Sequence, residues 1–259
     1  MVIQQGANSS KQDKTSPGPS NPVVYFKWLS YRFKLILTQD GKSRDLITSL
    51  ARKAYEHFAR GIAGEEQKGH WIACHGGCAS CCTIRVTATA PEIFSLARQI
   101  RAFPQEITSE LKQRILATEQ ATRNLSPAQR MASSLACPLI KNEFCISYSV
   151  RPLACRGHAS YDKDACREAL SGGSCEVPVS ALQLTVRSLV QNALQSALRD
   201  AHLPWGCYEL NQALAIALSD TSCERAWLAG DDVFASALVT DVSLREMAET
   251  FDVLKAMPA

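Results

Sequence analysis

The stretch CHGGCASCC, from Cys74 to Cys82, constrains this chain more than any other feature, because it places four thiols within nine residues. The chain has eleven cysteines in all, and nine of them lie between Cys74 and Cys175. Cys78 and Cys81 have the C-x2-C spacing, and Cys74 and Cys78 have the C-x3-C spacing. Either spacing lets two thiolates bind one tetrahedral metal ion. Side chains of neighbouring residues usually point apart. Two metals or a multinuclear cluster are therefore the easier arrangement if Cys81 and Cys82 are both ligands.

The thiols further along the chain supply the remaining donors, since two four-ligand sites would use eight of the nine clustered cysteines. The predicted metal ligands are Cys74, Cys78, Cys81, Cys82, Cys137, Cys145, Cys155 and Cys166. Thiolates bind zinc, iron and iron–sulfur clusters, so ligand type leaves open whether the cofactor is zinc or iron, including an iron–sulfur cluster. Cys175, His75 and His158 stay undecided as further ligands.

A closed site of four thiolates is an anion, and such sites need cations and hydrogen-bond donors around them. Arg85, Arg151 and Arg156 are close in sequence to the thiols and are the candidates for this role.

Two other chemistries compete with metal binding. The thiols could form disulfides, or one thiol could act as a nucleophile with His75 or His158 as its base. Disulfides need an oxidising compartment, whereas the first 22 residues lack the charged and apolar regions of a secretory signal, so we expect a cytoplasmic protein. Cys207 and Cys223 lack cysteine neighbours and are expected to be buried structural residues.

Composition excludes some partners. The net charge of +3, without blocks of like charge, does not favour nucleic-acid binding. No run of about eighteen apolar residues is present, so no transmembrane segment is expected. The expected partner is a metal ion, and the sequence leaves open whether the protein is an enzyme.

The pattern along the chain predicts a mainly α fold, with helices flanking an irregular cysteine-rich centre. Residues 1–22 read as a disordered tail and 23–259 as a single α-rich domain whose cysteine-cluster core covers about 74–175. Helices are expected from Arg44 to about Gly69 and after a Thr89/Glu92 capping box. The later predicted helices run from about Gln105 to Arg123, from a cap at Ser126, from Val179 to about Ala201, from Leu210 to Leu218, from a cap at Thr221 to Gly230, and from about Ser243 to Lys255. In VVYFKWLSYRFKLILT, alternating apolar residues favour a strand, with a short amphipathic helix as the alternative.

At these cysteines the chain resembles the YkgJ-type cysteine-cluster family, the zinc- or iron-chelating CxxCxxCC domains. In that family a GC-x2-CC element precedes a T-x2-E helix start, and a C-P-L…C-x2-Y-x2-R-P-x2-C-R element follows. The residues that match are Gly77, Cys78, Cys81, Cys82, Thr89, Glu92, Cys137, Pro138, Leu139, Cys145, Tyr148, Arg151, Pro152, Cys155 and Arg156. Cys74 departs from the pattern, because it precedes Cys78 by four positions rather than three.

The resemblance implies metal chelation by the cysteines in a bacterial cytosolic protein. A related domain occurs in flagellin lysine methylase, which is the basis for an alternative reading as an iron–sulfur-dependent enzyme or redox sensor. This sequence has no GxGxxG motif or other added cofactor signature, so the methylase activity is not carried over.

Overall fold

Helices dominate residues 16–39, 44–65 and 71–258, the parts of the chain that the computed structural model describes. The α-helices of these residues are α1 (Pro22–Gln39), α2 (Arg44–Ile62), α3 (Ala90–Arg101), α4 (Gln105–Thr122), α5 (Pro127–Ala132), α6 (Leu153–Gly157), α7 (Lys163–Leu170), α8 (Ala181–Asp200), α9 (Leu210–Ser219), α10 (Cys223–Ala229) and α11 (Leu244–Ala256). The strands are β1 (Thr87–Thr89), β2 (Ile140–Lys141), β3 (Phe144–Cys145) and β4 (Cys207–Glu209). The mainly α fold class is confirmed.

Helix α8 lies at the centre of the helical frame, where it packs against α1, α2 and α6. Its side chains Val186, Val190 and Leu194 are fully buried and recur every four residues, so they share one face of the helix. Helix α9 packs against α3 and α4, and α3 also contacts α2. A single cluster of buried apolar side chains therefore connects helices from both halves of the chain.

The strand expected in VVYFKWLSYRFKLILT is wrong, because these residues form helix α1. The buried side chains Tyr25, Phe26, Leu29 and Phe33 follow the three- and four-residue spacing of a helix. Tyr31, which the alternating pattern placed with the apolar residues, is 59% exposed. Contact with α8 covers the helical face, and this tertiary partner decides between the two periodicities.

Most predicted helix boundaries are confirmed. Helix α3 begins with the expected capping box, in which the Glu92 carboxylate accepts hydrogen bonds from the Thr89 amide and hydroxyl. Helix α2 ends at Ile62, earlier than the predicted end near Gly69, and residues 66–70 lie outside the described ranges. Most of the predicted tail, residues 1–15, lies outside them too.

The paired strands were not predicted, since two or three residues are too few to show a period. Strands β1 and β4 are antiparallel, with Thr87 opposite Glu209 and Thr89 opposite Cys207. This pairing joins the end of the first cysteine segment to the second half of the chain. None of the described helices is long and apolar enough to cross a membrane.

Candidate metal centre

The first cysteine segment, residues 71–86, is a succession of turns that lead into β1. Backbone amides bond three residues back, from Cys78 to the His75 carbonyl and from Cys82 to the Ala79 carbonyl, each at 3.0 Å. Gly77 has φ +96°, a conformation that side chains other than glycine rarely adopt. The ring of Phe144 lies 3.0 Å from where a Cβ on Gly77 would stand, so this turn has room for glycine alone.

The second segment carries Cys137 and Cys145 on either side of a short hairpin. Strands β2 and β3 pair Ile140 with Cys145, and the turn residues Asn142 and Glu143 both have positive φ. The hairpin folds back so that the Ile146 amide bonds the Leu139 carbonyl at 3.0 Å. A 2.7 Å bond from the Cys137 amide to the Cys82 carbonyl ties the two segments together.

The third segment is helix α6, which carries Cys155. Glu92 positions its start, because one carboxylate oxygen accepts a 2.7 Å hydrogen bond from the Leu153 amide. At its end, a Cβ on Gly157 would stand 2.5 Å from the Arg187 Cβ, so the glycine permits close packing of α6 against α8. The helical frame thus holds both ends of this short helix.

These three segments enclose one cavity of about 170 Å³, which we call the thiol cavity. The cysteines that line it are Cys74, Cys78, Cys81, Cys82, Cys137, Cys145 and Cys155. The structure thus brings together seven of the eight predicted ligands, from positions up to 81 residues apart in the chain.

Cys166 does not line the thiol cavity, although it is near enough to Cys74 for its charge to raise the pKa of that thiol. Cys175 lies apart, with its Sγ 3.3 Å from the Ala165 carbonyl oxygen. Cys207 and Cys223 do not line the cavity either, as expected. Both histidines left undecided, His75 and His158, are among the lining residues.

Three thiols of the cavity, those of Cys81, Cys137 and Cys155, are hard to ionise in the absence of a cation. Burial raises the pKa of Cys137 to about 11. Burial also raises the pKa of Cys155, and the charges of Cys137, Cys81 and Cys145 raise it further. The pKa of Cys81 is raised, first by its hydrogen bond with Cys82 and then by burial. A metal ion would reverse this preference, since it stabilises thiolates.

Arginines surround the thiols. The pKa values of Cys81, Cys145 and Cys155 are all raised, Cys145 by burial, and the positive charge of Arg151 opposes this rise. The Arg151 guanidinium lies 4.0 Å from the ring centre of Tyr148. Arg85 lines the thiol cavity as expected, and its guanidinium pairs with Asp241, which does not line that cavity.

One of the three arginines expected near the thiols does not line the cavity, and one arginine that does line it was not predicted. Arg156 does not line the cavity, because it stacks on Tyr55 at 4.1 Å and donates to backbone carbonyls. Arg187 of α8 does line the cavity. Its position, 21 residues beyond Cys166, has no sequence signal.

The donor chemistry fits zinc or iron, since eleven free thiols are present and seven share one cavity. Within the described residues, however, no group of three or more His, Cys, Asp or Glu side chains is already arranged so that it could hold a metal ion. Binding of an ion would therefore require the thiols to move from the positions that they have in this structure.

Residues 73–173 match the model of the CxxCxxCC family, described as a "Putative zinc- or iron-chelating domain". The matched range contains all eight predicted ligands and the whole thiol cavity apart from its walls on α8 and α9, and it supports metal binding by this part of the chain. No curated protein and no solved structure matches the chain.

Proposed function

We propose that this protein binds zinc or iron through cysteine thiolates in the thiol cavity. The observation that carries the proposal is the convergence of seven cysteines from three chain segments on one cavity of about 170 Å³. Clustered thiols of this kind are the donors that zinc and iron–sulfur centres use. The family matched by residues 73–173 supports the same chemistry.

We assign the thiols to two groups by their electrostatic neighbours. Cys155 interacts with Cys137, Cys81 and Cys145, so these four form the first ligand group. Cys74 interacts with Cys78, Cys81 and Cys166. Because Cys81 already belongs to the first group, we assign Cys74, Cys78 and Cys166 to the second group. Cys82 completes that group, since adjacent cysteines are easier to accommodate when they serve different ions.

Metal binding would cross-link the segments that carry Cys81, Cys137 and Cys155. Because the binding free energy of such sites is also folding free energy, the metal would stabilise the irregular centre of the chain. Arg151 and Arg187, which line the cavity, would offset the negative charge of the thiolates.

The first experiment is anaerobic purification, followed by elemental analysis and a visible absorption spectrum of the same sample. We expect about one or two metal ions per chain. Zinc would leave the protein colourless, whereas iron with sulfide and broad visible absorption would identify an iron–sulfur centre. Protein that contains neither metal after reconstitution under reducing conditions would contradict the proposal.

Cysteine variants test the ligand assignment. Cys155→Ser removes a thiol that three other cysteines surround, and Cys78→Ser removes one from the second group. Each should lower the metal content by about one ion, because a structural site needs all four ligands. Cys223→Ser is the matched control, since Cys223 lies outside the cavity. Equal metal content in all three variants would show that the assignment is wrong.

A further inference from the structure

A second cavity, of about 350 Å³, lies where the end of α4 and helix α5 face the segment from Ser236 to Asp241. Its walls are mostly polar, and they include the side chains of Thr122, Asn124 and Gln212. We call it the Arg130 cavity after the arginine that lines it. Nothing in the metal-binding function accounts for this cavity.

Arg130 is a buried arginine whose guanidinium is only partly satisfied. Its side chain belongs to a residue that is 3% exposed. Nη1 donates to the Leu135 carbonyl at 2.6 Å and to the Ser133 hydroxyl at 3.4 Å. Nε is buried without a hydrogen-bond partner, and Nη2 makes no hydrogen bond with the described residues. The edge of the guanidinium formed by Nε and Nη2 therefore has no hydrogen-bond partner among these residues, although Nε itself is enclosed by protein atoms.

Charges around Arg130 do not close that edge. Burial lowers the pKa of Arg130, and the negative charges of Cys137 and Glu209 raise it, yet neither group forms an ion pair with it among the described residues. The Glu209 carboxylate instead accepts a 2.8 Å hydrogen bond from the Gln212 amide at the start of α9. A buried guanidinium stays charged and is destabilising when it is incompletely paired.

The other two arginines of the cavity already have partners. Arg85 pairs with Asp241, and Arg123 pairs with Glu119. Their charges are offset by these partners, and the carboxylates of Glu209 and Asp241 also line the cavity. Within the described parts of the chain, Arg130 alone of the three has both Nε and Nη2 without partners. Two parallel N–H donors of one guanidinium match the paired oxygens of a carboxylate or phosphate.

We infer that the Arg130 cavity binds a small polar molecule through a carboxylate or phosphate group held by Nε and Nη2 of Arg130. The surrounding hydroxyl and amide side chains would contact the polar remainder of that molecule. No thiol lines the cavity, but Arg85 lines both cavities and the charge of Arg130 opposes the rise that burial causes in the pKa of Cys137, so the two sites are neighbours.

The test uses the full-length protein in its metal-loaded form, titrated with inorganic phosphate and separately with malonate. Side-chain Nε–Hε signals in ¹⁵N NMR spectra report the contact directly, even when affinity is weak. We expect saturable shifts of the Arg130 signal with at least one anion. A preference for phosphate would indicate a phosphate ester as the natural ligand, and a preference for malonate a carboxylic acid.

Variants show whether the edge of Arg130 is responsible. Arg130→Gln should weaken anion binding by about tenfold or more, and Arg130→Lys should also weaken it because lysine lacks the two parallel donors. Arg245→Gln is the control. The Arg245 side chain is 87% exposed, pairs with Glu249 and does not line the cavity. Binding by these variants is followed through the perturbed backbone amide signals of the cavity.

Asn124→Asp keeps the test decisive if Arg130 variants fail to fold. This exposed position lines the cavity, and a carboxylate there should weaken anion binding through repulsion without loss of a buried contact. The inference would be overturned if the wild-type protein bound neither anion. It would also be overturned if Arg130→Gln bound both anions as tightly as the wild type. If Arg130→Gln does not fold, the same result for Asn124→Asp would overturn the inference.

Discussion

The helical frame and the cysteine segments of this protein are stabilised in different ways. In α1, α3, α8 and α9, large apolar side chains such as Phe26, Phe94 and Leu214 are completely buried. In residues 71–86 and 137–175, the buried apolar side chains are only Leu139, Leu153, Ala159 and the prolines Pro138 and Pro152. Burial of apolar surface therefore stabilises the frame. The cysteine segments depend instead on turns, a few hydrogen bonds and the metal ions that we propose their thiols bind.

This difference indicates that the frame and the cysteine segments have different roles in the protein. The frame supplies fixed attachment points at β1, α3 and α8, and the cysteine segments held at those points carry the donors. A site of this kind can keep its frame folded while the thiols await a metal ion.

Metal removal should have the largest effect, and it should be confined to the cysteine segments. Structural zinc contributes about 10–16 kcal/mol in zinc-finger peptides, so its loss can open segments that have little apolar burial. In hydrogen exchange after treatment with chelator and reductant, the Cys82, Cys137 and Ile146 amides should exchange at least about tenfold faster. Amides of α8, such as those of Val190 and Leu194, should keep their protection. Equal acceleration in both regions would remove the distinction between frame and cysteine segments.

Phe94→Ala should destabilise the frame by about 3–5 kcal/mol, because it removes a fully buried ring and leaves a cavity. The Phe94 ring centre lies 5.9 Å from that of Trp227 and 5.0 Å from that of Phe234, so both contacts would be lost. Denaturant unfolding measures the change. Metal content per folded chain should stay at the wild-type level, and a loss of metal would show that the thiol cavity depends on the packing of α3.

Glu92→Ala should lower the free energy of unfolding by about 3 kcal/mol, because three donors lose a charged acceptor in a buried position. Two of these donors belong to Thr89 and the third to Leu153. Since Glu92 links the frame to α6, this variant should also lose metal, unlike Phe94→Ala. Glu92→Gln, which keeps one acceptor oxygen, should fall between Glu92→Ala and the wild type in both measurements.

The same carboxyl gives a pH dependence with a definite sign. Burial raises the pKa of Glu92 above its ordinary value, so the folded state binds the proton more tightly than the unfolded state does. The stability that this group contributes is complete below the ordinary glutamate pKa and is lost as pH rises through the raised value. The free energy of unfolding, plotted against pH, should therefore have different slopes for the wild type and Glu92→Gln across that window when both proteins are free of metal. Parallel curves would show that Glu92 keeps its ordinary pKa in the fold.

Gly77→Ala should have the smallest effect on global stability, about 1–2 kcal/mol, through strain at φ +96° and contact with Phe144. Its neighbour Gly76 provides a matched control, since no atom lies within 4 Å of where its Cβ would stand. Gly76→Ala should change the free energy of unfolding by less than about 0.5 kcal/mol. Because Gly77 shapes the turn before Cys78, its variant should reduce metal affinity as well, and equal affinity in both variants would assign no role to that turn.

The sequence predicted the elements whose signals are local. Capping residues and a three- and four-residue apolar spacing were sufficient for α3, α4 and α8, because these signals do not depend on distant contacts. Helix α1 shows the limit of this reasoning, since its apolar residues fit two periods and only contact with α8 selects the helix. Strands β1 and β4 lie beyond that limit, because each is stabilised by a partner about 120 residues away.

By itself the sequence determined the chemistry of this protein: clustered thiols in a mainly α chain, with residue types and spacings suited to zinc or iron. Tertiary structure decided which of those residues meet. It brought seven thiols to one cavity, left Cys175 outside it, turned Arg156 onto Tyr55 and placed Arg187 of α8 at the cavity wall. The physical reason is that donor chemistry belongs to each side chain, whereas proximity depends on how the helices pack.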